Sequence, residues 1–392
     1  MSEPSIALIM PRLDGGGIER VFLNLATEFC RRGLAVDLIV GERTGELADK
    51  VPKAIRCIEI ARGHPALFLI GLLRYWRHMR PSHVLSAFDD VNAMTMFARL
   101  AVKPRSTLAI GIHNSSLSKQ SSANGWRRVR DYTSHWSARL LCSPQVLVVT
   151  PSAGIADEAA LILGRARNQI RVIPNPVFDH RFREAADRPI MPQQTSSPRY
   201  FIAVGRLHPQ KRIDLLLRAF AIATAETNIR LRILGSGTLE PELRSLADRL
   251  GIRARVDWEG FVSNPAAWLQ SATALVLTSD YEGFGNVLVE AMACGTQVIA
   301  TDCPSGPAEI LEGGRWGQLV PVGSVEAIAT AMRRCLNRES WIEPQKLRKR
   351  ATAFSVEVIA NRYLSMLGLA ENCRGVTNDD IAVGRSGTRD SG

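Results

Sequence analysis

Glu282 and Glu290 bracket the segment Glu282-Gly283-Phe284-Gly285-Asn286-Val287-Leu288-Val289-Glu290, with seven residues between the two carboxylates. Ala274–Ser279, just before it, reads as a buried parallel strand. The order is therefore strand, polar loop, glycine turn, helix, which is how α/β proteins offer backbone N–H groups to a phosphate. From Asn286 the expected helix is apolar nearly all round and should be buried. Glu290 interrupts it. A buried carboxylate needs partners or it neutralises itself, and ribose or sugar hydroxyls are suitable donors. A nearby arginine would satisfy it equally well.

Other residues of the same kind lie elsewhere. Gly205-Arg206-Leu207-His208-Pro209-Gln210-Lys211 follows the apolar run Tyr200–Val204. Arg206 and Lys211 would stand at the carboxyl end of a strand, where open α/β sheets bind ligands, and two cations there suit a diphosphate. A solvated surface pair is the plain alternative. Leu234-Gly235-Ser236-Gly237 repeats the strand-to-glycine theme and fits a nucleoside cleft. Gly15-Gly16-Gly17 follows the first strand and opens a helix, but Arg20 stands at the sixth position of what would be a dinucleotide fingerprint, so nicotinamide binding is not expected. His113 follows the strand Leu108–Gly111 and is a cleft candidate or a structural histidine.

The elements that must position these residues alternate throughout. Strands are expected at Ile6–Met10, Ala35–Val40, Val84–Ala87, Leu108–Gly111 and Val146–Thr150, with a helix over Ile18–Cys30 and further helices between. A second series runs through Tyr200–Val204, Arg230–Leu234, Arg255–Trp258, Ala274–Leu277 and Gln297–Ala300. This pattern predicts an α/β protein of two Rossmann-like, doubly wound parallel-sheet domains facing a cleft. Residues 1–185 form the first domain and 199–350 the second. The polar, proline-bearing stretch 186–198 reads as a linker, 351–370 as a C-terminal helix returning to the first domain, and 371–392 as a disordered tail.

At 392 residues, two domains are the natural division. No run of eighteen apolar residues is present, and the N-terminus does not read as a signal peptide, so a cytoplasmic protein is expected. The seven cysteines form no C-x-x-C pair, which predicts a reducing compartment without zinc or disulfides. Net charge is +11 and uneven: residues 1–190 hold 26 Lys/Arg against 17 Asp/Glu, and residues 191–392 hold 23 against 21. A basic first half suits phosphorylated substrates, anionic lipid or nucleic acid. Trp126, Arg127, Arg128, Arg130, Tyr132, Trp136 and Arg139 form a basic aromatic stretch, and Pro65–Trp76 is apolar. Both suit a membrane surface or ordinary core helices.

Taken in order, these motifs resemble the retaining glycosyltransferases of GT-B fold, in the large bacterial family that includes sucrose and mannosyl transferases. The resemblance runs from the first glycine loop to about Leu369 and is strongest over Ser279–Glu309. It implies transfer of a sugar from a nucleoside diphosphate to an acceptor hydroxyl. Gly16 and Gly17 would approach donor phosphate and acceptor. Gly205, Arg206, Lys211 and Gly235 would serve the diphosphate and nucleoside, Glu282 and the Gly283, Phe284, Gly285 and Asn286 backbone the donor sugar. Val287 and Leu288 would lie near the nucleotide, Glu290 would take the ribose, and His113 would contact the transferred sugar. Pro209-Gln210 departs from the commoner small or acidic residues before the lysine. Asp302-Cys303-Pro304-Ser305-Gly306-Pro307 resembles users of UDP-sugars. No Asp-x-Asp motif occurs, so no metal cofactor is expected. The expected partners are a nucleotide-sugar and a glycan or polyprenyl-linked acceptor, with an anionic membrane surface beside them and no nucleic acid. The basic and aromatic features of the first half favour a lipid-linked acceptor at the cytoplasmic membrane face, which suits surface polysaccharide assembly. Rival readings are an epimerase on the same fold, which would need more acid–base groups than His113, and a non-catalytic basic binding protein.

Overall fold

A computed structural model describes residues 5–61, 64–113, 139–186 and 199–370. The basic aromatic stretch from Trp126 to Trp136, the linker beyond Ala186 and the expected tail lie outside the described residues.

The first sheet consists of β1 (Ser5–Met10), β2 (Ala35–Val40), β3 (Arg56–Glu59), β4 (His83–Ala87), β5 (Thr107–Gly111), β6 (Leu147–Thr150) and β7 (Ile170–Val172). Its order is β3-β2-β1-β4-β5-β6-β7, and every pairing is parallel. The connecting helices are α1 (Gly17–Arg31), α2 (Pro65–Met79), α3 (Asp89–Val102) and α4 (Ala153–Leu163), followed by α5 (His180–Ala186). The second sheet holds β8 (Tyr200–Val204), β9 (Arg230–Leu234), β10 (Val256–Gly260), β11 (Ala274–Leu277), β12 (Gln297–Thr301) and β13 (Gln318–Val320), in the order β10-β9-β8-β11-β12-β13, again parallel. Around it run α6 (Ile213–Ala223), α7 (Glu240–Arg249), α8 (Ala266–Ser271), α9 (Asn286–Cys294), α10 (Pro307–Ile310), α11 (Val325–Leu336), α12 (Pro344–Ala351) and α13 (Val356–Met366). In each sheet the strand order reverses beside the first strand, at β1/β4 and β8/β11, which is where such sheets open a ligand crevice.

The strands are apolar because both faces are covered. Ile6, Leu8 and Met10 enter a core with α1, while Ala7 and Ile9 enter another with α2, α3 and α4. On α1, Val21, Phe22, Leu25, Ala26 and Phe29 point inward at helical spacing. α13 returns to the first domain, where it packs on α1 and adds Ile359, Ala360, Tyr363 and Leu364 to that core. Burying Ile359 and Leu364 there stabilises the join by roughly 1.5–3 kcal/mol each.

The chain leaves the first domain earlier than the sequence reading placed it. Phe178, Phe182 and Ala186 pack into the second domain's core, so α5 belongs with the second domain rather than with residues 1–185. The crossing lies in the proline-bracketed Pro174-Asn175-Pro176 segment. It runs beside the return crossing, with Val177 N–H donating to Phe354 O (3.0 Å) and Val356 N–H to Phe178 O (2.9 Å). Prolines hold this segment extended.

Candidate functional site

The loops after β8 and β9 interlock. Gly205 and Gly235 have φ of 151° and 141°, conformations that glycine adopts without strain. A Cβ on Gly235 would overlap the Gly205 carbonyl. Leu207 N–H donates to Ser236 O at 2.9 Å and Gly205 N–H to Leu234 O at 2.9 Å. The glycines expected to admit a nucleoside thus first allow these two loops to pack together. The β8 loop ends in a short turn, Pro209–Lys211, clasped to the loop after β11. Thr278 Oγ1 donates to Lys211 O (2.8 Å), Gln210 Nε2 to Tyr281 O (2.7 Å) and Asp280 N–H to Gln210 O (2.9 Å).

This clasp sets Lys211 Nζ 2.5 Å from Glu282 Oε1, which also accepts from Ser279 Oγ at 2.6 Å. Glu282 is buried and Lys211 nearly so. Arg206 stays outside this pair. Its side chain is exposed, and its charge acts on Glu19 of the first domain and on Tyr281. Burial, with Glu282 beside it, pushes the Cys303 thiol up to about 12, so this cysteine is a protonated packing group rather than a nucleophile.

Gly285, at φ 101°, ends the loop and begins α9 with no side-chain cap. The first amides of the helix, at the positive end of its dipole, therefore have no side-chain acceptor at the cap. Phe284 is buried with its ring 5.7 Å from that of Phe354, edge to face. Val287 and Leu288 are buried in the second domain's core, so a ligand can meet only their backbone. Glu290 was expected to be buried; it is half-buried and opens onto a cavity of about 180 Å³. Arg20 and Asn24 of α1, Lys50, Asn286, Phe178 and Phe182 also line this cavity. Desolvation raises the Glu290 pKa above the ordinary carboxylate range, and the charge of Arg20 opposes the rise. No ion pair to Glu290 occurs among the described residues, so the arginine-paired alternative takes the form of a through-space field from Arg20.

From the first domain, Gly16 is the N-cap of α1. Gly17 lies where a Cβ would be 3.4 Å from Asn286 Nδ2. Asn175 Nδ2 donates to Asn286 Oδ1 at 2.8 Å. His113 is buried at the end of β5, with Nε2 so near Gly111 that a Cβ there would lie 2.6 Å away. Neither ring nitrogen has a hydrogen-bond partner among the described residues, and burial lowers the His113 pKa to about 4, with Asn175 opposing. The ring is therefore neutral near pH 7.

The structure thus brings Gly17, Asn286 and Glu290 together, while Lys211 and Glu282 pair where the loops after β8 and β11 meet. Sequence reading missed Asn175, Ser279, Ser152, Arg20 and Glu309. A polar residue locked between two prolines was the available signal for Asn175. Among the described residues no cluster of His, Cys, Asp or Glu is arranged to hold a metal ion.

Residues 15–181 match the family model "Glycosyltransferase Family 4" and residues 188–354 the model "Glycosyl transferases group 1". The chain is 34% identical over 177 residues to the Campylobacter jejuni N-acetylgalactosamine-N,N'-diacetylbacillosaminyl-diphospho-undecaprenol 4-alpha-N-acetylgalactosaminyltransferase, covering 43% of this chain and 46% of that one. It is 32% identical over 194 residues to the Salmonella typhimurium lipopolysaccharide 1,6-galactosyltransferase, covering 48% and 52%. The chain spans about half the length of these curated relatives. Among solved structures, the lipopolysaccharide outer core galactosyltransferase WaaB superposes with a TM-score of 0.71 at 23% identity, over 93% of this chain and 99% of that one. Anabaena HepE in complex with UDP and glucose superposes at 0.76 and 19% identity, over 93% and 99%. These two likenesses show the GT-B fold.

Proposed function

The chain belongs to the glycosyltransferases that these two models describe, and from that premise we propose that it transfers a sugar, with retention of configuration, from a UDP-sugar to a hydroxyl of a lipid-linked glycan during surface polysaccharide assembly. The observation that carries this reading is the Lys211–Glu282–Ser279 cluster beside the uncapped start of α9, whose first residue, Asn286, meets Gly17 and Asn175 of the first domain.

The reaction develops negative charge on the departing diphosphate. Arg206, Lys211 and the α9 amides are the groups placed to stabilise it, so the protein's own cations carry the electrostatic work and no metal is needed. Glu282 holds the donor sugar next to the cation that receives its leaving group. Neutral His113 hydrogen-bonds a sugar hydroxyl from the opposite wall. Glu290 accepts from the ribose, and the departing diphosphate assists removal of the acceptor proton on the same face. Closure of the two domains excludes the water that would otherwise hydrolyse the donor.

The acceptor side rests on two supports. One relative is named for a diphospho-undecaprenol substrate. On the first domain, α2 and α3 pack together and expose Leu67, Ile70, Phe97 and Leu100 near exposed Arg74, Arg77, Lys103 and Arg105. Apolar side chains rimmed by cations suit peripheral contact with an anionic bilayer. No described helix is long and apolar enough to cross one.

The test is a thermal-shift panel of UDP, GDP and ADP and their sugars in the presence of EDTA. Stabilisation by UDP and a UDP-sugar is expected. The absence of any nucleotide shift overturns the transferase reading, and a shift that needs added magnesium overturns metal independence.

A further inference from the structure

A separate set of contacts joins the domains at the N-terminus of α4. Ser152, its N-cap, accepts from Ile155 N–H at 3.4 Å and donates its hydroxyl to the Gly283 carbonyl at 2.9 Å, reaching across 131 residues of sequence. Both carboxylate oxygens of Glu309 accept from Ala153 N–H, each at 2.9 Å, and one also accepts from Gly154 N–H at 3.4 Å. A helix start leaves such amides orphaned, and a carboxylate there meets both the donors and the positive end of the dipole.

The segment that supplies Glu309 touches the donor loop on its other side. Pro304 O accepts from Glu282 N–H at 3.4 Å. Gly306, at φ 95°, lies against the Phe284 carbonyl, where a Cβ would overlap. Ser305 takes the left-handed φ of 68° and fills the space that the missing Cβ of Gly154 leaves. Left-handed backbone at a serine is strained, and it persists only where its surroundings hold it. Residues 304–309 are thus wedged between the first domain's α4 and the backbone of Glu282 to Phe284.

We propose that Ser152 and Glu309 are positioning residues for the transfer reaction. By fastening the start of α4 to the second domain, they set the Glu282–Asn286 loop in its working geometry only while the domains are together. A donor bound to an open molecule would meet a loosely held loop, and chemistry would wait for closure. The link to catalysis rests on the transferase reading above; the mechanical coupling does not.

Hydrogen exchange on the ligand-free, full-length protein tests the coupling directly. In Glu309→Gln and Ser152→Ala, amides at 153–155 and at 283–288 should both exchange about tenfold faster than in the wild type. Exposed Glu326→Gln serves as the control and should change neither segment. Ser152→Thr, which keeps the hydroxyl, should restore both. Faster exchange at 153–155 with 283–288 unchanged overturns the proposal. For catalysis, UDP release from UDP-glucose, UDP-galactose and UDP-N-acetylglucosamine should show kcat down about tenfold in Glu309→Gln with KM within twofold; an unchanged kcat sinks the catalytic role. A wild type that neither binds UDP nor releases it defeats the transferase reading alone, because the exchange result stands independently.

Discussion

In the second domain, Lys211, Ser279 and Glu282 are held by one another and by the Thr278 and Gln210 bonds that tie their two loops together. In the first domain, Asn175 and Ser152 each donate a side-chain hydrogen bond to the other domain, Ser152 while also capping its own helix by accepting from Ile155 N–H. One wall of the cleft is wired from within, whereas the other is completed across the gap. A preorganised wall suits electrostatic stabilisation of a leaving group, because its dipoles need not reorganise during reaction. The cross-linked wall suits a molecule that must open to exchange ligands.

The contrast breaks most sharply at Lys211. Lys211→Met should lower transfer by about 10²–10³-fold, the loss typical of removing one charge-stabilising group. It should also leave Glu282 buried without its cation, at a cost on the order of 2–3 kcal/mol of stability. Combining Lys211→Met with Glu282→Gln should recover most of that stability and none of the activity. Urea melts and turnover assays on the three variants separate the two effects. A double variant no more stable than Lys211→Met would mean that the pair is not the internal wiring inferred here.

His113 sharpens the other wall. Its pKa is about 4 in the folded protein against 6.5 for an ordinary histidine. Above pH 6.5 the ring is neutral in both folded and unfolded chains and costs nothing. As the pH falls toward 4 the unfolded chain takes up a proton that the folded one refuses, so stability drains away by roughly 3 kcal/mol across that window. His113→Gln should flatten this part of the stability–pH curve. Superimposable curves for wild type and variant would show that the ring is not buried neutral.

The same division governs how much was legible beforehand. Central strands such as Ile6–Met10 and Ala274–Leu277 read clearly because a parallel strand covered on both faces is continuously apolar. The strands that escaped, β3, β7 and β13, all stand at sheet edges. Arg56-Cys57-Ile58-Glu59 is half-exposed, and Ile170–Val172 and Gln318–Val320 have three residues each, so little burial imprints them. Within the site, Glu282 to Glu290 and Gly205 to Lys211 are compact motifs whose meaning lies in local spacing. The groups that join the walls act over long separations, 111 residues from Asn175 to Asn286 and 156 from Ala153 to Glu309. No local pattern marks such partners. The boundary of the first domain slipped for a related reason: Phe178, Phe182 and Ala186 are scattered apolar residues in and before a mostly charged helix, and their sequence does not say which core receives them.

Glu290 belongs to neither wall alone, and its substitution gives the smallest but most diagnostic effect. In the ligand-free protein, desolvation holds its pKa above the ordinary carboxylate range, with Arg20 only partly compensating. A raised carboxylate pKa means that ionising the group weakens the fold, so at neutral pH the charge is a liability. Glu290→Gln removes that liability while keeping the shape. The ligand-free variant should therefore melt a few degrees higher than the wild type. If ribose hydroxyls supply the missing hydrogen bonds, UDP should stabilise the wild type strongly and the variant little. A variant that melts higher yet keeps its full UDP shift would leave the cavity a structural void and move the ribose elsewhere. One that melts lower would mean that Arg20 and Glu290 together hold the domains closed, making the carboxylate part of the cross-cleft wiring.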